Sequence, residues 1–136
     1  MINFNAVTDF SLDNEEQLKN WLASVIKNED YKEGEINVIL CSDEYLLKLN
    51  QQFLDHDTYT DIISFDYRVG KELHGDIYIS VDRVEENAKT YEVEFSHELS
   101  RVMVHGILHF CGYKDKSSKD QKVMRAKENH YLDLLF

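Results

Sequence analysis

Residues 105–115 read HGILHFCGYKD and combine a histidine pair, a glycine and an aspartate at regular offsets. His105 and His109 stand four positions apart, so in a helix they lie on one face, one turn apart. Two neighbouring imidazoles in that arrangement are what two ligands of one metal ion require. Gly112 can adopt the positive φ that ends a helix. The chain then turns back, and Asp115 can bring a carboxylate to the same point.

These offsets give the pattern His-x3-His-x2-Gly-x2-Asp. It has the ligand spacing of the metzincin metalloproteases but lacks one of their characteristic residues. Those enzymes carry a glutamate directly after the first histidine as general base, whereas this chain has Gly106 there. The pattern therefore predicts a metal held by His105, His109 and Asp115, without the base of a protease. The alternative is that both imidazoles are only packed in the core. The glycine and the third oxygen ligand at suitable offsets argue against it.

Length and composition indicate one domain over residues 1–136 with a hydrophobic core. Apolar residues make up 43% of the chain, which excludes a disordered protein, and no run approaches the ~20 apolar residues of a membrane span. No signal peptide is evident, and Cys41 and Cys111 are isolated thiols, so we expect a cytoplasmic protein without membrane contact. Two positions beyond His109, Cys111 points to another helix face and is interpreted as a small buried hydrophobe.

The formal net charge is −11, with a sequence pI near 4.9. That balance argues against a protein that coats nucleic acid through a general basic surface. A local basic patch stays open, because composition alone does not reveal one. The charge therefore weighs against a function that acts on nucleic acid.

Hydrophobic periodicity predicts an α+β fold, in which about four strands form a mixed sheet that is packed with about five helices. The predicted strands cover residues 2–7, 35–41, 60–67 and 74–80. The predicted helices cover residues 13–28, 42–53, 80–92, 96–110 and the segment that begins at Ser117 or Ser118. We expect Ser11 or Asp13 to cap the first helix, Ser42 the second and Ser80 or Asp82 the third. Gly34 is expected to break the chain before the second strand.

With these elements placed, the chain resembles the YbeY family over essentially its whole length. Three pieces carry the resemblance in order, namely Leu49-Asn50 followed by TDIISF at 60–65, GDIYIS at 75–80 and HGILHFCGY at 105–113. Met124 and Glu128 in the last helix also fit. The family is described as metal-dependent single-strand endoribonucleases needed for ribosomal RNA maturation. The resemblance therefore implies one zinc ion per chain and a single-stranded or ribosomal RNA substrate. It also implies a role in 3′-end maturation of 16S rRNA and in ribosome biogenesis, near ribosomal proteins.

Two positions depart from the family pattern. The family usually has Asp-His after Gly-Tyr and thus a third histidine ligand, whereas this chain has Lys114-Asp115 and a carboxylate. The family also usually has an arginine near the end of the second helix, which the resemblance links to RNA cleavage, and here that position is Leu54. The cations that could replace it are Arg68, Lys71 and Arg101.

Three protein ligands and an open fourth position are typical of a catalytic zinc ion rather than a structural one. Zinc lowers the pKa of bound water from 15.7 toward ~7, and the resulting hydroxide can attack a phosphodiester. Alternatively, the metal polarises the phosphate while an RNA 2′-hydroxyl attacks, and the residues leave both routes open. A carboxylate ligand makes zinc a weaker Lewis acid and raises the pKa of the bound water.

Asp61 is the candidate catalytic residue outside the ligand set, as a base or as a hydrogen-bond partner of the ligands, and capping of the strand end is an equally good explanation for it. Asp76 is better explained by hydrogen bonding at a strand. The other histidines are expected to be solvated rather than bound to metal: His56, His74, His97 and His130.

Two other functions stay open. A metalloprotease-like hydrolase shares the ligand pattern, but Gly106 stands where its glutamate base belongs. A non-catalytic ribosome-assembly factor would use the metal structurally and turn its acidic surface toward basic ribosomal proteins. The net charge of −11 and Leu54 both favour this second alternative. The sequence indicates no oligomeric state.

Overall fold

The computed structural model describes residues 1–54 and 59–136, so His56 lies outside the described residues. It confirms the predicted α+β fold. The strands within the described residues are β1 (Ile2–Ala6), β2 (Lys32–Cys41), β3 (Ile62–Asp66) and β4 (Glu72–Ser80). The helices there are α1 (Glu15–Asn28), α2 (Asp43–Phe53), α3 (Val81–Thr90), α4 (Phe95–Phe110) and α5 (Ser118–Leu135). None of these helices combines the length and the apolar character that crossing a membrane requires.

The four strands form one mixed sheet, as predicted, and their order is β1-β2-β4-β3. β1, β2 and β4 run parallel, and β3 pairs antiparallel with β4. The pairing of Val38 with Ile77 and of Leu40 with Ile79 places apolar side chains on one face of the sheet. This face belongs to the core that α1 and α4 complete.

The opposite face of the sheet carries a row of polar side chains. The Asn3 side-chain amide donates to Asn37 Oδ1 at 3.1 Å, and the Asn37 amide donates to Asp76 Oδ1, also at 3.1 Å. Asp76 is therefore engaged in a hydrogen bond between strands, as expected from the sequence, on the face away from α4.

Three of the predicted helix caps are confirmed. Ser42, Ser80 and Ser117 each accept a hydrogen bond from the backbone N–H three residues further on. The prediction for the first helix was wrong, because α1 begins behind Asn14, whose side chain makes no capping bond, and neither Ser11 nor Asp13 occupies the cap.

The prediction for Gly34 was also wrong, because this glycine lies inside β2. The pairing register of β2 on β4 shifts between Glu33 and Ile36. A Cβ at Gly34 would collide with the backbone carbonyl of Leu73. Glycine therefore permits a close strand approach at an irregularity instead of ending the strand.

Glu29, the residue after α1, connects three parts of the chain. Its Oε1 accepts a hydrogen bond from the Tyr113 hydroxyl at 2.6 Å. Its Oε2 accepts from the Tyr131 hydroxyl and, at 3.3 Å, from Lys127 Nζ. Burial alone would raise the pKa of the Glu29 carboxyl, but these three hydrogen bonds lower it below its ordinary value. The carboxylate thereby fastens the turn after α4 to both α1 and α5.

We expect Glu29→Gln to lower the free energy of unfolding by about 1–3 kcal/mol near neutral pH, because an amide NH2 would face groups that donate hydrogen bonds. The lowered pKa means that the carboxylate stabilises the fold above its unfolded pKa of about 4.5. This contribution is lost as the pH falls through the folded-state pKa. Urea unfolding near neutral pH and at about pH 3.5 measures it, and the difference from wild type should shrink at the lower pH.

The matched control is Glu16→Gln, at an exposed position of α1. It should change stability by less than about 0.5 kcal/mol at either pH. A loss in Glu29→Gln that is equally large in acid would show that the ionised carboxylate is not the source.

Candidate metal centre

α4 ends in a turn that brings residues 112–115 back toward the helix. Gly112 has φ +99°, which confirms the predicted positive φ at this position. Its N–H donates to the His109 carbonyl at 3.0 Å, and the Tyr113 N–H donates to the Leu108 carbonyl at 3.1 Å. These two bonds are the pair of a Schellman motif, which glycine forms without a Cβ clash. The glycine of the sequence pattern therefore dictates where the helix ends.

Three donor atoms meet beside this turn. His105 Nε2 lies 3.0 Å from His109 Nε2, and Asp115 Oδ2 lies 3.2 Å from the first and 3.3 Å from the second. A four-coordinate zinc ion with bonds of about 2.0–2.2 Å needs its donor atoms about 3.3 Å apart. The donor types and their spacing therefore fit a zinc-class ion. All three residues are only half-buried, so water or a substrate can reach them.

Each imidazole has an acceptor on its other nitrogen. His109 Nδ1 lies 2.9 Å from the Tyr113 carbonyl oxygen, and His105 Nδ1 lies 2.6 Å from Glu128 Oε2. A carbonyl can only accept, so His109 carries its proton on Nδ1, and the carboxylate favours the same tautomer of His105. Both tautomers leave the Nε2 lone pairs free to bind a metal.

Glu128 is buried, with 3% of its surface exposed, and it connects His105 to a cation. Its Oε1 accepts from Arg101 Nη1 at 2.9 Å. Burial alone would raise the pKa of the Glu128 carboxyl, but its bonds to His105 and Arg101 lower it. Burial would likewise lower the pKa of His105, but the hydrogen bond and the charge of Glu128 raise it. The buried carboxylate thus makes its imidazole a more basic ligand.

A cleft of about 800 Å³ opens beside the donor atoms, and residues of α3, α4 and α5 line it. Asp61, His105 and Asp115 all lie in its wall. The Asp61 carbonyl accepts from the Ser80 N–H at 2.9 Å, which fixes this residue at the start of β3. Burial raises the pKa of the Asp61 carboxyl, and the charge of His105 lowers it only in part. The structure therefore brings Asp61 into the same cleft as two of the three predicted ligands.

Three cations were considered as replacements for the arginine that the family usually has at the position of Leu54. They lie in different parts of the structure. Arg68 Nη1 donates to the Phe110 carbonyl at 3.1 Å, and Lys71 Nζ lies 4.4 Å from the centre of the Tyr31 ring. Both contacts are at the C-terminal end of α4. Arg101 alone of these three lines the cleft, and its guanidinium is held by the bond to the buried glutamate.

The remaining predicted residues lie away from the donor atoms. His74 is half-buried and contacts Glu72 at 2.7 Å, whereas His97 and His130 pack against aromatic rings. Cys111 is buried, and burial raises the pKa of its thiol to about 12, as expected for a small hydrophobe rather than a ligand. Leu54 follows α2 and is 44% exposed.

Position 106 faces the sheet. A Cβ on Gly106 would lie 3.0 Å from the Cδ1 atoms of both Ile62 and Ile77. A glutamate at this position would therefore enter the packed contact between α4 and the sheet. This packing argues against the metalloprotease alternative, which needs its base there.

The fold and the site together define a class, that of α+β proteins in which two histidines and a carboxylate that could hold a metal ion lie beside an open cleft. Within that class the chain belongs to the YbeY family, because the family described as endoribonuclease YbeY matches residues 3–135.

Relatives of known name support this assignment. The endoribonuclease YbeY of Flavobacterium johnsoniae is 61% identical over 129 residues, which cover 95% of this chain and 93% of the relative. That of Flavobacterium psychrophilum is 58% identical over 134 residues, with coverages of 98% and 96%. A solution structure of a Thermotoga maritima protein matches with a TM-score of 0.70 and 33% identity, covering 99% of this chain and 89% of that one.

The zinc affinity of Glu128→Gln should fall by about 10–100-fold, because the imidazole of His105 loses its ionised partner. Competition with a chromogenic chelator at neutral pH measures the affinity, and circular dichroism verifies that the variant is folded. Glu44→Gln, at an exposed position of α2, removes the same charge and should bind zinc like the wild type. Equal affinities in all three proteins would mean that Glu128 does not support the ligand.

Proposed function

We propose that this chain is a zinc-dependent endoribonuclease that cleaves single-stranded RNA at a centre held by His105, His109 and Asp115, with one ion per chain. The observation that carries the proposal is the triangle of donor atoms, with edges of 3.0–3.3 Å, beside an open cleft. Its relatives are named endoribonucleases, which supports RNA as the substrate. A bound zinc ion would supply an acidic water or polarise a phosphate.

The residues around the donor atoms have separate tasks in this proposal. Glu128 and the Tyr113 carbonyl hold the two imidazoles in the tautomer that presents Nε2. Asp115 adds a negative charge that a third histidine would not add, and it would therefore make a bound zinc ion a weaker Lewis acid. Asp61 accepts or donates a proton at the reacting oxygen, since it is a carboxyl in the cleft wall whose pKa is raised by burial.

The attacking group is either water or the 2′-hydroxyl of the RNA itself. A substrate with a single 2′-deoxy nucleotide at the cleaved position separates these routes, because it retains attack by water and removes attack by the neighbouring hydroxyl.

In the cell, we infer that the enzyme acts as one domain in 3′-end maturation of 16S rRNA and in ribosome biogenesis, where ribosomal proteins are neighbours of the substrate. Cys41 and Cys111 are both free and buried, as a reducing cytoplasm favours. Family membership supports this role.

A non-catalytic assembly factor remains the second candidate function. The net charge of −11 and an exposed leucine at position 54, where the family usually has an arginine, favour it. A cleavage assay separates the two, because an assembly factor would bind zinc without cutting RNA. The metalloprotease loses its support through the packing around Gly106.

The test compares cleavage of a single-stranded RNA by the zinc-loaded wild type, His109→Ala, Asp115→Ala and Asp115→His. His109→Ala should be inactive. Asp115→Ala should lose zinc affinity by more than the 10–100-fold typical of a partner that supports a ligand. Asp115→His raises the charge of the site by one unit, so the pKa of bound water should fall and the pH–rate profile should move to lower pH.

Zinc content by mass spectrometry accompanies each profile. Full zinc occupancy in Asp115→Ala, with an unchanged profile, would show that the third ligand lies elsewhere. Wild-type protein that binds zinc and leaves RNA intact would support the assembly factor instead.

A further inference from the structure

One segment of this acidic chain, residues 114–127, is rich in basic residues. Residues 114–127 contain six of the 15 cationic residues and only two of the 26 acidic ones. This segment begins at the turn after α4 and continues along α5, so it starts at the proposed metal ligand. The chain has a net charge of −11, but the segment next to the candidate site is basic. We call residues 114–127 the cationic ridge.

Two cations of this ridge line the cleft. Lys122 and Arg125 are three residues apart on α5 and are therefore neighbours on the helix surface. Lys122 is exposed, and no carboxylate of the described residues forms an ion pair with it. Arg125 is 58% exposed at its side chain and reaches Glu128 Oε1 only at 3.5 Å. Both charges are thus available to an anion.

The net formal charge of the cleft wall would change sign on binding of a divalent metal ion. Its three cations, Arg101, Lys122 and Arg125, face four carboxylates, those of Asp61, Glu98, Asp115 and Glu128. These charges sum to −1, and a bound divalent ion would bring the formal charge of the wall to +1. A positive cleft in a negative protein concentrates a polyanion at this one place and repels it elsewhere.

An aromatic ring stands in the same cleft. Tyr91 follows α3, lines the cleft and is 60% exposed. Within the part of the chain that the structure describes, no other aromatic ring stacks on it. Exposed rings of this kind stack on the splayed bases of single strands, which a duplex does not offer.

We propose that Lys122 and Arg125 bind phosphates of the RNA substrate while Tyr91 stacks on one of its unpaired bases. The strand then crosses the cleft between α3 and α5, beside the metal-binding atoms. This inference rests on the proposed endoribonuclease function. It gives α5 the cationic role that Leu54 cannot fill.

Binding is measured with the zinc-loaded protein and a fluorescent, non-cleavable 2′-O-methyl phosphorothioate oligonucleotide of about 12 nucleotides. Fluorescence anisotropy over a series of salt concentrations gives the slope of log K against log[salt]. This slope is about −0.7 for each phosphate contact with a single strand. In Lys122→Gln/Arg125→Gln we expect it to become shallower by about 1.4.

The matched control is Lys19→Gln/Lys48→Gln, which removes two cations from α1 and α2 outside the cleft. Its slope should equal that of the wild type. For the ring, Tyr91→Leu should raise Kd about tenfold, whereas Tyr91→Phe keeps the stacking surface and should bind normally.

An unchanged slope in Lys122→Gln/Arg125→Gln would overturn the phosphate contacts, and a normal Kd in Tyr91→Leu would overturn the stacking. If the wild type cleaves RNA while these variants bind normally, the proposed function stands and only the path of the strand is wrong. Wild-type protein that neither binds nor cleaves RNA overturns both.

Discussion

The left-handed backbone at Gly112 is the constraint on which the site depends. It ends α4 within three residues of the second histidine and turns Asp115 back to within 3.3 Å of both imidazoles. The next residue, Tyr113, then serves twice, because its carbonyl accepts from His109 Nδ1 and its hydroxyl donates to Glu29. A single tight turn therefore positions the Asp115 carboxylate, sets the tautomer of His109 and is itself bonded to Glu29 behind α1. The turn explains how a carboxylate from outside the helix reaches the two imidazoles without a long loop.

The packing of α4 on the sheet leaves no room for a side chain directly after the first histidine of the candidate site. Gly106 lies against Ile62 and Ile77, so the side chain after the first histidine is unavailable as a base. Asp61, directly before β3, is a carboxyl in the wall of the cleft, and burial raises its pKa. The same close packing that stabilises the helix thus separates this centre from the proteases that share its ligand spacing.

The sequence predicted what is local. The α+β class, the serine caps and the turn at Gly112 follow from periodicity and from the preferences of single residues. It did not predict contacts between distant residues, such as Glu128 with His105 or Glu29 with Tyr113, which are 23 and 84 positions apart. No offset along one element encodes such pairs. The basic segment at 114–127 was visible in the sequence, but the overall charge concealed it.

The most direct test of the account is a crystal structure of the zinc-loaded protein with anomalous differences collected at the zinc edge. We predict one strong peak per chain, bonded to the Nε2 atoms of His105 and His109 at about 2.0–2.1 Å and to an Asp115 oxygen at about 2.0–2.2 Å. A peak bound by Cys111 with Asp115 turned away, or the absence of a peak between the two imidazoles, would contradict it.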